Sequence, residues 1–181
     1  SELITSGDAV GVYMEKCADA VAAFFAAVYA GGFYSVLNTE LPQNRLQTTV
    51  SVLNPKVIVT SESLLETAKE YFSERKIVTF EALAKSEPDY AKLGEICSHK
   101  IDTDPLYINF TSGPTGTPKG IVVCHRSVID FIDHFTEIFG IDNNDVIANQ
   151  APFDFDVSVK DNYSAVKTGA TLVVVPRRVF S

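Results

Sequence analysis

Apolar and polar positions alternate along this chain in blocks whose spacing switches repeatedly between extended and helical periods. Residues 9–14 form a short apolar run read as a buried strand, and residues 18–30 predict a helix. Gly31 and Gly32 stop that helix, because a left-handed cap costs glycine little. A second strand is predicted over 33–37. Pro42 is suited to open a helix reaching residue 53, with Leu46, Val50 and Leu53 on one face. A strand at 57–60, a helix at 63–72 and a strand at 77–80 follow, and then a polar, irregular segment, 85–104, predicts a linker or surface excursion. Apolar runs beginning at Tyr107 and at Ile121 flank a loop rich in Gly and Thr. Residues 127–139 look helical, with apolar positions 128, 131, 132, 135, 138 and 139. Strands at 146–148 and 171–175 surround a helix at 157–167. The alternation predicts a single α/β domain over 1–181, a layered and largely parallel sheet flanked by helices.

A chain of 181 residues can bury roughly 70% of its unfolded surface in one core. Its 46% hydrophobic and 21% charged content is that of a soluble globular protein and excludes a disordered one. The longest apolar stretch, 18–33, is broken by Asp19 and ends in two glycines, short of the ~20 apolar residues a membrane span needs. The polar start is unlike a signal peptide. No membrane insertion is expected. A net charge of −8 opposes non-specific nucleic-acid binding, so no nucleic-acid partner is expected and any anionic ligand must be attracted locally. Cys17, Cys97 and Cys124 are odd in number and far apart, which suggests reduced, mostly buried thiols in a cytoplasmic protein. The three histidines show no metal-ligand spacing, and no metal site is expected.

The loop between the two apolar runs carries the most specific chemistry. Gly113 and Gly116 let the backbone turn its N–H groups toward an anion, Thr111, Ser112 and Thr115 add hydroxyl donors, and Lys119 adds a mobile positive charge. That equipment suits a polyphosphate. It is not a Walker A site: Pro118 precedes Lys119, Gly120 follows it, and the next residues are β-branched, so no helix N-terminus faces the ligand. A flexible loop between two strands is the expected geometry. A second polar cluster, Asp154-Phe155-Asp156, precedes the helix at 157–167, and either carboxylate can cap that helix, Asp154 being the better candidate.

The stretch Thr111-Ser-Gly-Pro-Thr-Gly-Thr-Pro-Lys-Gly120 resembles the phosphate loop of the adenylate-forming ligases, departing at Pro114, where the family has a hydroxyl residue. Proline removes a side-chain donor and a backbone donor there. The resemblance implies that Thr111, Ser112, Gly113, Thr115, Gly116 and Lys119 hold ATP phosphates. Phe155-Asp156-x-Ser158, followed by Gly169-Ala-x-Leu172, resembles the segment of amino-acid-activating members in which an Asp holds the substrate ammonium. On that resemblance Asp156 and Phe155 are substrate-binding residues. A buried carboxylate would suit an ammonium, which needs an ionic partner inside a pocket. His125, where the family commonly also has His, would line the substrate pocket; its ordinary alternatives are a polar cap or a packed imidazole. Glu15 and Lys16 read as solvated surface charges. Gly11-Val-Tyr-Met-Glu-Lys16, Ala30-Gly-Gly-Phe-Tyr-Ser-Val-Leu37 and Leu41-Pro-x-x-Arg45-Leu also match, so the likeness covers nearly the whole chain. The wording is most similar to D-alanine–carrier-protein ligases and nonribosomal peptide synthetase adenylation domains.

The resemblance implies a two-step reaction. An amino acid is activated by ATP with Mg2+ as an aminoacyl-adenylate, then passed to the phosphopantetheine thiol of a carrier protein, with D-alanine the favoured substrate. The family's later motifs, including the lobe with its catalytic Lys, have no counterpart here, so the chain is expected to be a partial N-terminal domain without catalytic residues of its own. Two other readings stand beside this one: an acyl-CoA synthetase acting on a carboxylic acid without an amino group, and an inactive nucleotide-binding or folding fragment.

Overall fold

Strands and helices alternate through the chain much as the periodicity predicts, and they form two unequal sheets. The computed structural model describes residues 3–111 and 117–176. The larger sheet contains β1 (Ala9–Tyr13), β2 (Phe33–Val36), β3 (Val57–Thr60), β4 (Ile77–Thr79), β5 (Pro105–Thr111) and β6 (Lys119–Cys124), in the order β4-β3-β1-β2-β5-β6. All neighbours are parallel except β5 and β6, which form an antiparallel hairpin. The smaller sheet pairs β7 (Val146–Asn149) with β8 (Thr171–Val174) in parallel. The connections carry α1 (Ala18–Tyr29), α2 (Gln43–Leu53), a 3₁₀ turn (Glu62–Leu64) leading into α3 (Leu65–Tyr71), α4 (Phe80–Leu83), α5 (Tyr90–His99), α6 (His125–Phe139) and α7 (Val157–Thr168).

The sheet is buried on both faces, which is why β1 and β3 read as unbroken apolar runs. Val10, Val12, Val57 and Val59 face one core with Phe24 and Ala27 of α1 and Val159 of α7. Ala9, Tyr13 and Ile58 face a second core with Leu46, Val50 and Leu53 of α2 and Ala68 of α3. The period-two alternation of the strands thus decides which helix each side chain meets.

The end of α1 follows from its glycines. Gly31 has φ of +96°, and the amides of Gly31 and Gly32 donate to Val28 and Ala27 carbonyls at 3.0 Å, closing the last turn before β2. The segment 85–104 differs from expectation: it contains α5, started by Asp89, whose side chain accepts from the Lys92 amide at 3.0 Å. None of its residues is buried, and its polar composition reads as irregular. The strand expected at 77–80 ends one residue early, because Thr79 caps the single turn of α4 by accepting from the Ala82 amide. Pro42 sits just outside α2, as its N-cap residue. The thiols are free and none is fully buried; Cys97 is exposed, because α5 lies on the surface.

Candidate functional site

The β5–β6 hairpin presents the two ends of the Gly/Thr-rich loop. Its register pairs Thr111 directly with Lys119. Directly paired residues of an antiparallel ladder point to one face with Cβ atoms roughly 5 Å apart, so the two side chains rise from the same face. Both residues are exposed, and Lys119 makes no ion pair among the described residues. Ser112, Gly113, Thr115 and Gly116, with Pro114, lie outside the described residues. Gly120 lies in close quarters behind Lys119: a Cβ there would stand 3.0 Å from Ile108 Cγ2 and 3.3 Å from Phe110 Cε1. Ser35 fixes β5 to β2 by donating to the Ile108 carbonyl at 2.9 Å.

The segment after β7 approaches the same strand ends. Asn38, just beyond β2, donates from Nδ2 to Asp154 Oδ2 at 2.9 Å. Asp154 is therefore a partner of Asn38 and not the cap of α7. Asp156 is the residue before α7, yet its side chain caps nothing. The amides of Ser158 and Val159 are satisfied instead by the Phe155 and Asp156 carbonyls, at 3.0 and 2.9 Å. That leaves the Asp156 carboxylate without a hydrogen bond or ion pair among the described residues. It is exposed, as is Phe155 at 58%, whereas the sequence reading favoured a buried carboxylate. The Asp156 charge reaches Tyr107, whose hydroxyl is held above its ordinary pKa by burial first and by this carboxylate second.

Lys16 also departs from expectation. It is half-buried and donates from Nζ to the Asn149 carbonyl at 2.8 Å, with the Phe153 ring 5.4 Å away. Nothing in the sequence signals this contact, since the partners are 133 positions apart. Glu15 is exposed as expected, and accepts from Thr39 at 3.4 Å.

Two small cavities mark where these elements meet. One, of about 60 Å³, lies among Met14, Lys16, Asn38, Gln150, Phe153 and Asp154. The other, of about 40 Å³, lies among Asn38, Arg45, Asn109, Phe110, Pro118 and Asp154. They share Asn38 and Asp154, and together they form a shallow groove at the C-terminal ends of β1, β2 and β5, where open α/β sheets bind ligands. A larger apolar cavity of about 730 Å³, between α1, β3 and α5, contains none of the predicted site residues. His125 begins α6 as expected, but the hairpin register places it beyond Cys124, opposite Pro105 and away from the Thr111–Lys119 end. Its buried Nε2 has no hydrogen-bond partner among the described residues. Burial, reinforced by Lys100 and opposed by Asp104, holds the imidazole below its ordinary pKa.

The chain resembles known proteins over nearly its whole length. It is 29% identical over 169 residues to tyrocidine synthase 1 of Brevibacillus parabrevis, covering 93% of this chain and 15% of that protein. It is 28% identical over 179 residues to a D-alanine–D-alanyl carrier protein ligase of Lacticaseibacillus rhamnosus, covering 99% of this chain and 35% of the ligase. The chain thus spans only a minor part of these relatives. Its fold matches that of a four-domain nonribosomal peptide synthetase crystallised with AMP and glycine, with a TM-score of 0.81 at 24% identity over 97% of this chain and 12% of that one. The family described as AMP-binding enzyme matches residues 3–180, and on that match this chain belongs to the AMP-binding enzymes, the adenylate-forming ligases.

Proposed function

We propose that this chain forms the phosphate-loop and substrate-entry part of an enzyme that activates an amino acid with ATP. A substrate carboxylate oxygen attacks the α-phosphorus, the α–β phosphoanhydride bond breaks, and pyrophosphate leaves. The phosphopantetheine thiol of a carrier protein then attacks the acyl carbon, forming a thioester and releasing AMP, and the thiol proton goes to solvent. Thr111 and Lys119 supply a hydroxyl and an uncommitted ammonium to the phosphates, and Ser112, Gly113, Thr115 and Gly116 complete the loop. Such groups act by positioning and by matching charge that develops on the leaving group. Mg2+ would offset the charge of the triphosphate. The cytoplasm as the site of action remains part of this reading, whereas His125, at the Pro105 end of the hairpin, has no contact among the described residues that supports a pocket-wall role. No described helix is long and apolar enough to cross a membrane.

The observation that carries the amino-acid reading is the uncommitted carboxylate of Asp156, beside a helix start that needs no side-chain cap. It suits the ammonium that separates amino acids from plain carboxylic acids, the substrates of acyl-CoA synthetases. D-alanine is favoured by the wording around 151–163 and by the similarity to a D-alanine ligase. The test is pyrophosphate exchange by the full-length enzyme with D-alanine, L-amino acids and propionate. Asp156→Ala should cost roughly 1.5–3 kcal/mol in amino-acid use, about ten- to 150-fold, with ATP use kept. A variant that still prefers amino acids over propionate would sink the assignment.

A further inference from the structure

Lys16 leaves the C-terminal end of β1, the central strand, and reaches the exit of β7. The Asn149 carbonyl accepts both Lys16 Nζ at 2.8 Å and the Val175 amide at 3.1 Å, so both its lone pairs are used. Asn149 itself is fully buried, and its Nδ2 donates to Asp161 Oδ2 at 3.0 Å. Asp161, 7% exposed, also pairs with Lys160. Phe153 lies under the Lys16 ammonium and edge-on to Phe24 at 5.3 Å between centroids. One strand over, Asn38 holds Asp154. The stretch 149–154 is therefore gripped at both ends from β1 and β2, and Phe155 and Asp156 follow directly.

A half-buried ammonium is costly, and burial lowers the Lys16 pKa although Asp161 opposes the shift. A methionine would fill the same space without that cost. What the ammonium adds is direction, a charge-assisted bond to one carbonyl. We infer that Lys16 is a positioning residue, which by holding the Asn149 carbonyl and covering Phe153 sets where the 150–156 segment, and with it Asp156, stands against the strand ends. The inference rests on the role proposed for Asp156.

The test uses the full-length enzyme with Lys16→Met, Lys16→Gln and Lys16→Arg. Lys16→Met should raise the KM for the amino acid roughly ten- to a hundredfold, since small misplacements of reacting groups cost on that order. The KM for ATP should stay within about twofold. Lys16→Arg should recover most of the loss, and Lys16→Gln, a neutral donor less prone to misfolding, should fall between. Backbone hydrogen exchange should rise over 150–156 in Lys16→Met and stay unchanged in α1 and β3. Equal losses for ATP and amino acid with a lower melting temperature would reduce Lys16 to a structural residue and overturn the inference. An unchanged amino-acid KM, or exchange over 150–156 that does not rise, would also overturn it. If the wild-type enzyme activates no amino acid, the adenylation reading fails, and hydrogen exchange alone then decides whether Lys16 orders the segment.

Discussion

Lys119 shows how much a single position can be asked to do in an acidic chain. The protein carries a formal net charge of −8, so its long-range field repels a polyphosphate. Attraction must come from groups within a Debye length, about 8 Å at physiological salt. Lys119 is placed for this: it pairs across the hairpin with Thr111 and has no carboxylate neighbour within ion-pair distance among the described residues. Lys119→Ala in the full-length enzyme should therefore weaken ATP use by roughly 1.5–3 kcal/mol, the worth of a hydrogen bond to a charged group. Steady-state kinetics against ATP checks this, and an unchanged KM and kcat for ATP would remove Lys119 from the phosphate site. Asp154 and Asp156 teach the complementary lesson. Both can cap a helix on sequence grounds, yet the first turn of α7 closes on backbone carbonyls, and the two carboxylates are left for Asn38 and for solvent.

At the scale of elements, the turn from α1 into β2 carries the tightest backbone approach. A Cβ on Gly32 would stand 2.6 Å from the Asp8 carbonyl, and backbone cannot swing aside as a side-chain tip can. Gly32→Ala should destabilise the protein by about 1–3 kcal/mol, the usual cost of overpacking, which a urea melt would read. A melt unchanged within error would mean that β1 and β2 can separate freely at that point. This turn was legible in the sequence because two glycines follow a long apolar helix. The same holds for most elements packed on the sheet: burial on one side sets the apolar face of α2 and α6, and burial on both sides makes β1 and β3 continuous apolar runs. Where that pressure is weak the reading failed. α5 buries no residue, and the polar residues on either side of it, with Pro88, make the segment read as irregular. Lys16 was misread for a different reason: Glu15 beside it is exposed, and its own partner lies on another sheet, a relation that no local pattern encodes.

At the scale of the whole molecule, much apolar surface stays uncovered. On α6, Ile138 and Phe139 are 75% and 67% exposed, and Phe139 continues a row of tilted rings with Phe135 and Phe131 at centroid spacings of 4.6 and 5.7 Å. Ile121 and Val122 lie exposed on β6, an edge strand, and Val146 is 67% exposed on β7. Scattered apolar residues on a surface are ordinary, but a run of exposed aromatic and aliphatic side chains on one helix, together with an open strand edge, favours association. Net charge opposes it: a chain at −8 repels its copies, and added salt screens that repulsion. The isolated 181-residue chain should therefore sediment above its monomer mass of 19.7 kDa, increasingly so at higher concentration and higher salt. Ile138→Glu with Phe139→Glu should shift it back toward monomer, because two further negative charges interrupt the apolar surface and add to the repulsion without touching a buried position. Because the chain covers only 35% of a relative that activates D-alanine, the same preparation should show no amino-acid-dependent pyrophosphate exchange above a no-enzyme control. A strictly monomeric chain at high salt would show that this surface is too discontinuous to drive contact. Exchange above background would show that these residues alone suffice to form the adenylate.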